Sequence, residues 1–379
     1  MKIVLAPDSF KESLTAMEVC EAMEKGFRKT IPEAEILKVP MADGGEGTVQ
    51  SLVDATGGTM VPSKVTGPLG EETEAFFGML GGGKTAVIEM AAASGLHLVE
   101  SKKRNPLITT TRGTGELILA ALDHGAGHIV IGIGGSATND GGAGMAKALG
   151  IKLLNAKGME IAEGGGALGE LVEIDLSDMD PRLRHTKIEV ACDVDNPLTG
   201  PRGASAIFGP QKGATPEIVQ ILDDNLGHYA TIIHQTINKD ISKVPGAGAA
   251  GGLGAGLLAF LNAKLKRGVD IVIEATKLEE HVKGATFVIT GEGKIDGQTI
   301  FGKTPIGVAK TAKKHQVPVI AIAGNLSEDS HIVKEHGIDV LFSIVPGAVP
   351  LEEALENAAA FTERTAENIG SLIKITMKP

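Results

Sequence analysis

Three short segments put carboxylates where a ligand could meet them. Asp8 follows the apolar run Lys2–Ala6, with Ser9 and Lys11 close behind. Asp43 and Glu46 stand in ADGGEGT after a second run, Glu35–Val39. Glu292 and Asp296 stand in GEGKID after a third, Phe287–Thr290. If these runs are parallel strands of one open sheet, their carboxyl ends share an edge, and ligands gather beyond that edge. One Asp in such a loop is as readily a helix N-cap; three loops that converge with carboxylates and glycines point to function. In the middle of the chain, CDVDNP (192–197) ends another strand and FGPQKGA (208–214) follows. Asp193 is a candidate general base there, and Lys212, Arg112 and Lys11 are candidate anion partners. The ten His are scattered and the two Cys lack zinc-ligand spacing, and no G-x-S-x-G elbow is present.

Glycine-rich loops are the second signal. Gly132–Gly144 reads GIGGSATNDGGAG between a strand and a helix. Backbone N–H groups and a helix N-terminus in such a loop can cradle an anion. Its first six residues match G-x-G-x-x-A, but the helix starts late and no acidic strand end follows at dinucleotide-site distance. Pro245–Gly256, PGAGAAGGLGAG, contains a second weak match. Two segments match the P-loop pattern. GMLGGGKT (78–85) runs into a strand and reads as a hairpin turn. GQTIFGKT (297–304) runs into a helix opened by Pro305, a position that suits proline, but about six residues separate it from a strand ending near Thr290. The longer GEGKIDGQTIFGKT still offers acidic groups, two lysines and a helix N-terminus to a nucleotide phosphate and its metal; a plain tight turn before a helix is the alternative.

The elements that must position these groups follow from periodicity. Thr15 and Glu18 fit a capping box ahead of Ala16, Val19, Cys20, Met23 and Phe27 at helical spacing, so Cys20 reads as core. Glu46–Ala55 reads as a second helix. Val61–Val65, Glu74–Leu80 and Thr85–Met90 read as strands joined by short turns, hence antiparallel. Helix Gly115–His124, strand His128–Ile133, helix Ala143–Leu149, strands Ile151–Leu154 and Lys187–Cys192 and a long helix over 215–238 follow. Near 286 the strand–helix rhythm returns, with strands at Phe287–Thr290, Val317–Ala323 and Val340–Val345. Two such units at the start and three at the end complete one five-stranded parallel sheet only together. The expectation is an α/β protein: a Rossmann-like parallel-sheet domain from 1–60 plus 285–379, with a second α/β domain, 61–284, inserted in it.

Composition narrows the function. The chain has 379 residues, enough for two domains. Its net charge of −11, absence of Trp and single Tyr argue against nucleic-acid binding. Two cysteines cannot form a disulfide framework, which suits a reducing cytoplasmic setting. MKIVLAPDSF is too short an apolar run for a signal peptide. The uncharged stretch Val244–Ala263 is mostly Gly and Ala and gains little from lipid, so no membrane association is expected.

Taken together, APDSFKESLTA, KVPMADGGEGT, GTGELI, IGIGGSATNDGGAGMAKALG, CDVDNPLTGPRGA, FGPQKGA, PGAGAAGGLG and GEGKIDGQTIFGKTP resemble the bacterial glycerate kinase family, from Lys2 to about Gly347. The resemblance implies phosphorylation of D-glycerate by ATP with Mg2+, with the 2-phosphate as product. It also implies two α/β domains, one inserted in the other, with the active site in the cleft. Glu12 departs from the pattern, since many relatives carry Gly there; a helix start is expected at that position.

Phosphoryl transfer needs charge neutralisation and in-line positioning more than covalent chemistry. On that basis Asp193 is the expected base, with Asp8 second. Ser9, Lys11, Arg112 and Lys212 are expected at the glycerate carboxylate. Gly291, Gly293, Lys294 and Lys303 are expected at the nucleotide phosphates, and Asp43, Glu46 and Asp296 at Mg2+. A kinase for another small hydroxy acid, a glycerate 3-kinase, and a sugar-acid or nucleotide binder without turnover are the alternatives. The oligomeric state stays open, a homodimer included.

Overall fold

The computed structural model describes residues 1–376; the last three residues of the expected 285–379 segment lie outside the described residues. The chain divides into two compact units. One comprises Met1–Asp43, Gln50–Gly57 and the chain from Val269 onward; the other comprises Gly44–Val49 and Gly58–Gly268.

The first unit is built on a five-stranded sheet. Its order is Val340–Ser343, Val319–Leu326, Phe287–Ile295, Lys2–Leu5, Glu35–Lys38, and every pair is parallel. Numbered within the unit this is 2-1-3-4-5, a doubly wound order whose reversal falls between Lys2–Leu5 and Phe287–Ile295. Alternate residues face opposite sides. Ile3, Leu5, Ile289, Ile320 and Ile322 join one core with Val19, Met23 and Phe27 of helix Ala16–Thr30 and Ala366, Ile369 and Ile373 of helix Ala358–Thr376. Cys20 lies in that core. The first of these helices is capped reciprocally, Glu18 N–H donating to Thr15 Oγ1 (3.2 Å) and Thr15 N–H to Glu18 Oε2 (2.8 Å).

One strand is longer than its apolar run. Phe287–Ile295 carries GEGK inside the sheet, with Gly291, Glu292 and Lys294 in register with Ile322, Ala323 and Asn325. Glycine makes this possible, because a Cβ at Gly291 would strike the Ile322 carbonyl. The gap expected between this strand and GQTIFGKT therefore shrinks to Asp296. A short 3-10 turn, Thr299–Phe301, fills the loop before helix Thr304–Lys314. The second departure is Glu12. It is no helix start but sits at φ 65° in the turn between Phe10 and Leu14, and the helix begins at Ala16.

The second unit holds a six-stranded sheet in the order Lys264–Lys266, Lys187–Ala191, His128–Gly132, Thr85–Glu89, Glu72–Met79, Thr59–Thr66. The first four are parallel, and the last two form antiparallel pairs. GMLGGGKT is the hairpin turn between Glu72–Met79 and Thr85–Glu89, with Gly82 and Gly83 at φ 102° and 68°. Lys152–Asn155 pairs with Leu171–Asp175 in a separate ribbon. The uncharged stretch forms a 3-10 turn and helix Leu253–Phe260. Among the described residues no helix is long and apolar enough to cross a membrane.

Candidate active site

The reversal of strand order in the first unit leaves a crevice at the carboxyl ends of its two central strands, and carboxylates occupy it. Past Leu5 the chain still follows its neighbour, Ala6 N–H donating to Ile289 O and Asp8 N–H to Gly291 O (2.8 Å). This sets Asp8 beside Glu292. Asp8 is 8% exposed; its Oδ1 accepts from Ser9 N–H (2.7 Å) and its Oδ2 from the hydroxyl of Thr304 (2.6 Å), the first residue of helix Thr304–Lys314. Glu292 Oε1 accepts from Thr299 Oγ1 (2.6 Å), and Lys303 Nζ lies 3.8 Å from Oε2.

These carboxyls are crowded. Burial and then the nearby Asp43 carboxylate raise the Asp8 pKa to about 6, against hydrogen bonds from Thr304 and Ser9 and the charge of Lys11. Burial likewise raises Glu292 to about 7; the Thr299 hydroxyl and Lys303 oppose it, and Asp8 and Asp43 add to it. Such a cluster favours a cation. Among the described residues no group of three His, Cys, Asp or Glu has the geometry of a metal cage. Mg2+ asks for less, since one or two carboxylates suffice when phosphate and water complete its shell. Asp43 and Asp8 fit that donor set.

The cavity over this floor has a volume of about 880 Å3. Of the residues singled out from sequence, Asp8, Ser9, Lys11, Asp43, Gly293, Lys294 and Lys303 line it. Gly291 lies in the strand beneath. Asp296 does not line it; its Oδ2 pairs with Lys294 (3.1 Å) and its Oδ1 accepts from Gln298 N–H (2.9 Å). Glu292 also lines it, and the fully buried Thr299 and Thr304 hydrogen-bond the Glu292 and Asp8 carboxylates. Glu292 was visible in GEGKID, but the two threonines carry no motif signal; only position at a turn and a helix start brings them in.

The other expected residues belong to the second unit. Glu46 is exposed on Gly44–Val49, a segment held by the Glu89 carboxylate through Val49 N–H (2.9 Å). Asp193 is exposed just past strand Lys187–Ala191, and its Oδ1 accepts from Gly268 N–H (3.2 Å). Arg112 opens helix Arg112–Asp123 with its Nε 3.5 Å from Glu163 Oε1. Lys212 is 1% exposed, and its Nζ donates to Ser136 Oγ (2.8 Å) and Thr138 O (2.6 Å). Burial lowers its pKa to about 7, against the pull of Asp140.

The anion that GIGGSATNDGGAG cradles is its own. Asp140, fully buried, accepts from the N–H groups of Thr111 (2.9 Å), Gly142 (3.1 Å) and Gly144 (3.1 Å) and from the Thr111 hydroxyl (2.8 Å). The second glycine loop packs on the first, Gly141 N–H donating to Gly251 O (3.0 Å). Gly251 stands at φ 66° against the Thr138 carbonyl and leaves no room for a Cβ. Lys212 and Asp140 thus brace the first loop, and Asp140 ties it to Thr111 ahead of helix Arg112–Asp123.

Comparison with known proteins finds relatives along nearly the whole chain. The sequence model of the Glycerate kinase family matches residues 3–374. A glycerate kinase of Bacillus subtilis is 64% identical, over 99% of this chain and 98% of its own. The glycerate 2-kinase of Escherichia coli is 57% identical, over 100% and 99%. The crystal structure of a glycerate kinase 2 from Salmonella typhimurium superposes with a TM-score of 0.93 at 54% identity, covering 99% of both chains. The chain belongs to the glycerate kinase family.

Proposed function

We propose that this enzyme transfers the terminal phosphoryl group of ATP to a hydroxyl of D-glycerate and releases 2-phospho-D-glycerate. One observation carries the reading beyond family membership: three crowded carboxylates, Asp8, Asp43 and Glu292, share a cavity with the lysines that lead into a helix N-terminus. Mg2+ is the proposed cation, held by Asp43 and Asp8; when bound it would neutralise phosphate charge. Lys303 and Lys294 are the proposed phosphate contacts. Asp296 orients Lys294, and Gly291 and Gly293 keep side chains out of the floor. Among the sequence-derived ligands, Glu46 is set aside because it stands exposed on its own loop.

For the acceptor, Ser9, Lys11 and Arg112 are the proposed partners of the glycerate carboxylate, each able to donate hydrogen bonds to it. Asp193 is the proposed base, with Asp8 next if Asp193 fails. Lys212 is assigned to holding the glycine loop, because both of its contacts are internal. The test is ADP release by the purified protein over a panel of D-glycerate, L-glycerate and other small hydroxy acids, with and without EDTA. D-Glycerate should give the highest kcat/KM, and EDTA should abolish turnover. A different hydroxy acid preferred by tenfold or more would overturn the substrate, and turnover unaffected by EDTA would overturn the metal.

A further inference from the structure

The cavity has a second half that the chemistry above does not use. Besides the carboxylate floor, its lining comes from the segment after strand Val340–Ser343 and from helix Leu351–Glu356. Ile344, Val345, Val349, Leu351, Leu355 and Ala358 line it, and no charged side chain between Ser343 and Ala358 does. Several of these apolar groups are poorly covered: Leu351 is 71% exposed, and Val345, Val349 and Leu355 are half-buried. Apolar side chains clustered around a cavity and left wet are what a ligand would cover. The wall is also tied to the floor, because Ser13 Oγ donates to Leu355 O (2.7 Å) from the turn that carries Lys11.

A phosphate has no counter-charge on this wall, whereas a flat heterocycle gains from it. We infer that residues 344–358 hold the purine base of the nucleotide, so that its phosphates run toward Lys303 and Lys294. This rests on the kinase reading and adds to it the base subsite and its apolar character. Ser343, the nearest polar side chain of that segment, already accepts Val345 N–H on its Oγ (3.2 Å).

Leu351→Ser and Val349→Ser alter exposed or half-exposed positions, and each is checked by thermal melting. The probes are ADP and inorganic tripolyphosphate, their affinities measured by calorimetry on the full-length protein. Losing contact over about 40 Å2 of apolar surface weakens ADP binding about fivefold per variant, while tripolyphosphate, which has no base, binds as it does to wild type. The KM for ATP should rise by the same factor with the KM for glycerate unchanged. Unchanged ADP affinity, equal loss for ADP and tripolyphosphate, or no ADP binding by the wild type would each overturn the inference. Wild type that binds ADP in this variant-sensitive way but turns over no glycerate would sink the substrate reading and leave the base subsite standing.

Discussion

Glu189 tests how the second unit holds the strands that feed its glycine loops. Its side chain is 2% exposed in the middle of strand Lys187–Ala191. Lys187 lies two residues away on the same face, and Lys266 and His128 reach it from the two neighbouring strands. The contacts are 2.8 Å to Lys187, 2.8 Å to Lys266 and 2.7 Å to His128. Burial alone would raise the Glu189 pKa. Hydrogen bonds from Lys187, Lys266 and His128 outweigh it and bring the value to about 2, from an ordinary 4.5. At about 1.36 kcal/mol per pKa unit the full difference is roughly 3.4 kcal/mol. Lys187 is half-exposed and its charge is screened, so about 2 kcal/mol is the working figure.

The sign follows from linkage. The folded state binds this proton more weakly, so the stabilisation is complete above the unfolded value of 4.5 and is lost as pH falls through about 2. Glu189→Gln should therefore melt about 4–8 °C below wild type at pH 7, at about 2–4 °C per kcal/mol. At pH 3 roughly two-fifths of that gap should remain. Differential scanning calorimetry at both pH values reads it. A gap under 1 °C at pH 7, or one that does not shrink at pH 3, would refute the reasoning. Turnover at 25 °C and pH 7 should be unchanged, because Glu189 sits in mid-strand and His128 and Lys187 open their strands, at the end opposite the one that leads to Asp193.

Three further perturbations address the site. Asp193→Asn should lower kcat by about 10²- to 10⁴-fold with ADP affinity intact; a loss smaller than tenfold in stopped assays moves the base to Asp8. Thr304→Val removes the hydroxyl that favours ionised Asp8, a bond worth about 1.5 kcal/mol, so the Asp8 pKa rises from about 6 toward 7. Activity should then fall several-fold at pH 6 and recover by pH 8.5, with Thr304→Ser retaining the wild-type profile; an equal loss at every pH would assign Thr304 a packing role only. Glu12→Gly relieves a side chain held at φ 65° and should raise stability by about 0.5–1 kcal/mol, read by denaturant unfolding; destabilisation would mean that the turn gains more from the Glu side chain than it loses in strain.

Much of the first unit was legible because its signals are local. The capping box at Thr15, the apolar run at Lys2–Leu5 and the return of strand–helix rhythm after 286 each fix an element by short-range chemistry. The strand end at Ile295 was not legible, because glycines that read as a loop are there to let two strands approach. Strands Leu171–Asp175 and Lys264–Lys266 were missed for a different reason: the first is a ribbon partner with mixed polarity, and the second has three residues, two of them lysines. The same limit applies to the candidate site. Asp8, Asp43 and Glu292 announce themselves at strand ends. Thr304 and Thr299 matter only through the carboxylates they reach, and Asp140, a loop Asp like the others, turns out to fill its own helix N-terminus.

The product is the most direct test of the proposed reaction. Purified protein is incubated with D-glycerate, ATP and Mg2+, and phosphorus NMR resolves the two phosphoglycerates. 2-Phospho-D-glycerate should form in step with ADP. The 3-phosphate would keep the kinase but contradict the hydroxyl assigned to Asp193, and ATP left intact with D-glycerate would contradict phosphoryl transfer to glycerate.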